Sequence, residues 1–158
     1  MGEPPRSPRG ERGTDNRLRE SMSGSTILLV EDNPADVLLV REALNWNDVR
    51  SKLLVVYDGD EAIHFIEMIE GAPDPCPSLI VLDLNLPRKN GFDVLRRVRS
   101  SAKCGAGPVV ILSSSEALAD RAEAARLGAS CYIRKPSNLK DVMSVGEQLK
   151  ALLEGPVH

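Results

Sequence analysis

The sequence has no excess of basic charge. Lys and Arg number 20 against 23 Asp and Glu, for a net charge of −3. That balance removes the electrostatic case for DNA, RNA or an anionic membrane surface as a partner. It also lacks any apolar run near the roughly 18 residues of a membrane span. The amino-terminal residues have no apolar core of the kind a secretory signal carries. Cysteines are few, odd in number and widely spaced: Cys76, Cys104 and Cys131 match no metal pattern and no disulfide framework, so a reduced, cytoplasmic setting is expected. Of the two histidines, His64 and His158, neither joins a recognisable pattern. No Asp-rich 12-residue loop is present, which argues against dedicated Ca²⁺ binding.

What is present is enough for one core: 42% of 158 residues are hydrophobic. Residues 1–25 are Pro, Gly, Ser, Arg and Glu with almost nothing apolar, and are expected to be a disordered tail, with Met22 an alternative start. The ordered domain is expected over 26–153, with 154–158 a frayed end. Within it, short apolar runs alternate with amphipathic stretches. Thr26–Val30, Lys52–Tyr57, the stretch beginning at Leu79 and stopped by Pro87, Val109–Ser113 and Ser130–Arg134 read as strands. Helices are expected from Pro34 to about Asn45, after Asp58-Gly59, after Asn90-Gly91, over Glu116–Leu127, and after a cap at Ser137 or Asn138. Trp46 is expected to close the first helix against the sheet. Five β–α units imply an α/β fold: a doubly wound, flavodoxin-like (βα)5 parallel sheet in the order 2-1-3-4-5.

That order sets strands 1 and 3 side by side, with a crevice between their carboxyl ends. Glu31 and Asp32 end the first, and Asp83 stands near the end of the third. Three neighbouring carboxylates raise one another's pKa unless a cation sits among them, and all-oxygen ligands suit Mg²⁺. Ser113 and Lys135 end strands 4 and 5 on the same rim. Three carboxylates give −3, while Mg²⁺ and Lys135 give +3. The set suits phosphoryl transfer to Asp83, which is mostly positioning and charge neutralisation. The hydroxyl of Ser113 is then placed to follow the new charge and drag its loop.

The motifs EDN (31–33), LDLNLP (82–87), ILSSSE (111–116) and YIRKPSNL (132–139) resemble those of response-regulator receiver domains of two-component signalling. The resemblance implies that Asp83 is the phosphoacceptor and Asp32 the Mg²⁺ ligand. It implies that Glu31 assists through water and that Asn85 contributes its backbone carbonyl to the metal. Ser113 and Lys135 become the phosphoryl-contacting hydroxyl and ammonium, Tyr132 the switch aromatic, and Lys135–Pro136 a cis peptide. LNLPRKNG (84–91) and the lengthened Asn45–Ser51 connection resemble regulators paired with bacterial phytochrome kinases. The implied partner is a sensor histidine kinase, and the resemblance to the phytochrome-paired regulators points to one of the bacteriophytochrome type. The chain would catalyse only its own phosphorylation and dephosphorylation.

Only 22 residues follow Pro136, so output is expected through protein contact, including a homodimer on the face of the fourth helix, fifth strand and fifth helix. An aspartate-nucleophile phosphatase would want a second acid where Asn85 stands. An FMN binder would want a Gly- and hydroxyl-rich loop where the acidic EDNP stands. A phosphorylation-independent pseudo-receiver is the remaining alternative.

Overall fold

The computed structural model describes Ser25–Gly155. The tail expected over 1–25 lies outside the described residues apart from Ser25, and of the expected frayed end Glu154 and Gly155 are described. Ten elements alternate: β1 (Thr26–Val30), α1 (Pro34–Trp46), β2 (Lys52–Val56), α2 (Gly59–Glu70), β3 (Leu79–Leu82), α3 (Gly91–Arg99), β4 (Val109–Ser113), α4 (Leu118–Arg126), β5 (Cys131–Arg134) and α5 (Leu139–Glu154). The strands pair in parallel in the order β2-β1-β3-β4-β5, as expected from the alternation.

Alternation along each strand divides the core in two. Leu28, Val30, Ile80, Leu82, Val109 and Ile111 face α2, α3 and α4, where they meet Ala62, Ile66, Val94, Leu95, Val98 and Ala124. Ile27, Leu29, Leu79, Val81, Val110 and Leu112 face the other way, onto Val37, Val40 and Leu44 of α1 and Val145 and Leu149 of α5. β1, β3 and β4 are therefore buried on both faces, which is why they read as unbroken apolar runs.

The helices start where their caps dictate. The side chains of Asn33, Asp58, Asn90 and Asn138 each accept from a backbone amide of the first turn that follows. Asn138, not Ser137, caps α5. β3 is shorter than the LIVLDLNLP run and ends at Leu82. Beyond it the buried Leu84 turns the chain towards α3, and its carbonyl accepts from Gly91 N–H at 3.0 Å.

Trp46 does not close α1 against the sheet. It is 55% exposed. The next residue ties α1 to the last helix instead: the side-chain amide of Asn47 donates to Ala43 O at 2.9 Å and to Met143 O of α5 at 3.1 Å. α1 and α5 touch there through Gly146, where a Cβ would run into the carbonyl of Ala43. Backbones this close leave no room for an indole between them.

The cysteine reading is also corrected. Cys76 and Cys104 form a disulfide, with Cα atoms 5.6 Å apart. The two cysteines are 28 residues apart in sequence. Each lies in a loop entering the amino end of a strand, β3 and β4, and adjacency of those strands brings the loops together. Cys131 is free.

Candidate functional site

At the opposite edge of the sheet the register delivers the site. Val30 of β1 lies opposite Leu82 of β3, so Glu31 and Asp83 leave the sheet side by side. Ser113 lies opposite Arg134, so Lys135 is the first residue past β5. Each of the three is held by one further rung of the ladder. Glu31 N–H donates to Val56 O at 3.0 Å, Asp83 N–H to Val30 O at 3.1 Å, and Lys135 N–H to Ser113 O at 2.8 Å. The backbone at each of these three positions is thus held by strand geometry.

Glu31, Asp32, Asn33, Asp36, Asp83, Asn85, Ser114, Arg134, Lys135, Pro136 and Ser137 line one open cavity of about 530 Å³. Carboxylate oxygens of Glu31, Asp32 and Asp83 lie within 4.8 Å of one another. Glu31 and Asp83 are buried, and Asp32 is exposed. One oxygen of Glu31 accepts from Asn33 N–H at 3.1 Å, and the other meets Lys135 Nζ at 3.0 Å. Burial lifts the Glu31 carboxyl above its ordinary range, against the pull of Lys135. Asp83 is raised the same way: burial outweighs the Lys135 charge and the amides of Asn85 and Leu84.

Asp83 Oδ1 is a buried oxygen with no hydrogen-bond partner. Lys135 Nζ approaches it at 3.5 Å, an ion contact too loose to be a hydrogen bond. Orphaned buried carboxylate oxygens are costly and uncommon, so this one marks where a cation or an incoming electrophile fits. Three hard oxygen donors in one cluster, open to solvent through Asp32, suit a divalent ion that keeps part of its water.

Lys135 has its ammonium among three acids. Burial pulls its pKa down, but Asp36, Glu31 and Asp83 together hold it well above the usual lysine range. Its shortest contact is to Asp36 Oδ2, at 2.7 Å. Asp36 was not among the residues singled out from the sequence, and it changes the charge count to four carboxylates. A signal existed: an acid in the first turn of α1, facing the same rim as Asp32.

The remaining candidates are placed differently. Ser113 is fully buried and does not line the cavity; its Oγ accepts from Ser115 N–H at 3.1 Å, and Ser114 lies on the wall instead. Tyr132 is half-buried beside α4, donates through its hydroxyl to Ser115 O at 3.1 Å, and carries the Arg121 guanidinium 4.4 Å above its ring. The expected cis peptide is not found. Lys135–Pro136 is trans, as is every described peptide bond. Trans is the favoured X–Pro isomer by about 0.5–1 kcal/mol, and the Lys135 amide keeps its bond to Ser113 O without isomerisation.

Comparison with known proteins agrees with this geometry. The response regulator receiver domain model matches residues 27–146. Response regulator Rcp1 of Synechocystis sp. is 36% identical over 133 residues, spanning 84% of this chain and 90% of that protein. Among solved structures, the phosphorylated cyanobacterial phytochrome response regulator RcpA superposes with a TM-score of 0.74 at 36% identity, over 83% of this chain and 94% of that one. The Mn²⁺-bound form of Rcp1 gives 0.73 at 35% identity, over 84% and 97%.

Proposed function

The chain belongs to the response regulator receiver-domain family, and from that premise we propose that Asp83 accepts a phosphoryl group from the phosphohistidine of a sensor histidine kinase. The observation that carries this is the unpartnered, buried Oδ1 of Asp83, aimed into the acidic cavity beside an ammonium. In the transfer, a carboxylate oxygen of Asp83 attacks phosphorus, a P–O bond forms, the P–N bond to histidine breaks, and the imidazole leaves. Glu31, Asp32, Asp83 and the backbone carbonyl of Asn85 would hold Mg²⁺. The Mn²⁺ in the Rcp1 relative and the carboxylate cluster here support that assignment. Once bound, the ion neutralises carboxylates and phosphoryl oxygens that would otherwise repel.

Lys135, whose ammonium already lies 3.5 Å from Asp83 Oδ1, offsets charge on the phosphoryl oxygens. Ser113 turns its hydroxyl from the loop amide of Ser115 towards the new acceptors, and Tyr132, bonded to Ser115 O, feels the same loop move. Ser113 and Tyr132 are thus the switch pair of the proposal. The protein acts on no substrate but its own Asp83. The kinase partner is of the phytochrome type, on the strength of the resemblance to RcpA.

The domain spans 26–153, and signalling runs through protein contact. A homodimer forms on the α4–β5–α5 face, where Leu118 and Met143 are 82% and 38% exposed. Nucleic acid and membrane are not partners; no described helix is long and apolar enough to cross a bilayer. The setting is cytoplasmic, and the redox state of Cys76 and Cys104 there is read by alkylation mass shifts.

The test is intact-protein mass spectrometry with acetyl phosphate. Gain of one phosphoryl group that needs Mg²⁺ and is lost in Asp83→Asn is the expected result. No uptake by folded protein would sink the proposal in favour of a phosphorylation-independent interaction module.

A further inference from the structure

The lysine that the reaction needs is not resting on the residue it serves. Lys135 Nζ lies 2.7 Å from Asp36, 3.0 Å from Glu31 and 3.5 Å from Asp83. Its side chain is 14% exposed and that of Asp36 22%, so both partners are largely shielded from water. Asp36 is anchored independently of the rim. It stands in the first turn of α1, behind the Asn33 cap and Pro34, where the helix dipole favours a carboxylate. Its contact with Lys135 joins residues 99 apart in sequence, across β1 and β5, which are not neighbours in the sheet.

We propose that Asp36 is a positioning residue that holds Lys135 back from Asp83 until a phosphoryl group arrives. This rests on the assignment of Asp83 as phosphoacceptor. An ammonium has three donors, yet one position cannot be optimal for three carboxylates, and the order of distances shows which wins at rest. On phosphorylation Asp83 changes from about −1 to about −2 and gains acceptor oxygens, so the balance tips and Lys135 crosses over. Asp36 thereby competes with the phosphoryl group for the same cation. The cost of pulling Lys135 away from Asp36 is part of the barrier to phosphoryl uptake, and the family motifs at the strand ends do not include this residue.

The experiment follows phosphoryl uptake from acetyl phosphate at saturating Mg²⁺ in wild type, Asp36→Asn, Lys135→Ala and the double variant. Asp36→Asn is expected to accelerate uptake about fivefold, the factor that ~1 kcal/mol of lost pairing gives. In the Lys135→Ala background the same substitution should change the rate less than about twofold. Asp36→Glu should restore the wild-type rate.

An independent readout is competitive amine labelling of Lys135 in metal-free protein, quantified by mass spectrometry. The neutral amine is the form that reacts, and the contact with Asp36 both holds the proton on Lys135 and covers its nitrogen, so Lys135 in Asp36→Asn should label about fivefold faster. Unchanged labelling, or equal acceleration of uptake with Lys135 absent, would overturn the positioning role. The labelling arm is read even if wild type takes up no phosphoryl group, so failure of the Asp83 assignment and failure of this one are told apart.

Discussion

At the amino edge of the sheet, the ammonium of Lys103 donates to three carbonyls, those of Ile69, Ala72 and Asp74, at 2.8, 2.7 and 2.6 Å. At the carboxyl edge, the ammonium of Lys135 is shared among three carboxylates, and Asp83 Oδ1 is left without a hydrogen bond. The contrast extends to the neighbours. Below the sheet, the Arg99 guanidinium ties together the carbonyls of Gly128, Gly105 and Gly107, which belong to the loops entering β5 and β4. Arg97 grips Glu70 through two bonds, and Cys76–Cys104 closes the α2–β3 and α3–β4 loops on each other. Above the sheet, the buried acids carry raised pKa values because burial outweighs their partners.

The same five strands present both edges, so the difference lies in what the loops bring. The lower loops bring donors that match carbonyls already in place. The upper loops bring acids in excess of the one ammonium among them, and an incoming cation relieves their repulsion. Satisfied contacts gather at one end, and the orphaned carboxylate oxygen lies at the other.

That contrast can be broken from below. Cys76→Ser with Cys104→Ser opens a 28-residue loop and should lower unfolding free energy by about 3–4 kcal/mol on the chain-entropy estimate. Denaturant titration measures this, and phosphoryl uptake by the still-folded variant should stay near wild type. A comparable fall in uptake would show that the edges are coupled. Arg99→Met leaves three loop carbonyls without their donor and should cost about 2–3 kcal/mol in the same titration, again with little effect above the sheet.

From above, the expected sign reverses. Asp83→Asn in metal-free buffer should stabilise the protein by about 1 kcal/mol at neutral pH, since it removes an ionised buried group lacking a full partner. The pH dependence checks the cause. With the folded pKa raised above the ordinary 3.8, the folded state binds more protons than the unfolded one between those two values. Wild-type stability therefore falls as pH rises through that window, and the cost is fully present above it. The advantage of Asp83→Asn should fade as pH drops towards 3.8, and thermal melts at a series of pH values would show whether it does.

The smallest effect sharpens the comparison along the side wall. Arg121→Ala removes the cation over Tyr132 and should cost about 0.5 kcal/mol, seen as a small fall in melting temperature. A cost several times larger would mean that the Tyr132–Ser115 contact depends on Arg121 as well.

By itself the sequence determined the ten elements and the rim they point to. Apolar runs of strand length, Asn and Asp caps, and polar residues following each run are local signals, and parallel order does the rest. Glu31, Asp32, Asp83, Asn85, Lys135 and Pro136 meet in one cavity because each follows a strand whose neighbour is set by topology. Only the tertiary structure decided which of those groups touch. It paired Cys76 with Cys104, brought Asp36 to Lys135, turned Ser113 into its own loop, left Trp46 in solvent and kept Pro136 trans. These depend on loop paths and helix packing to within an ångström. A short-range pattern of residue types can say that a side chain lies at an edge, but contact energies there fall off over distances much smaller than the edge itself.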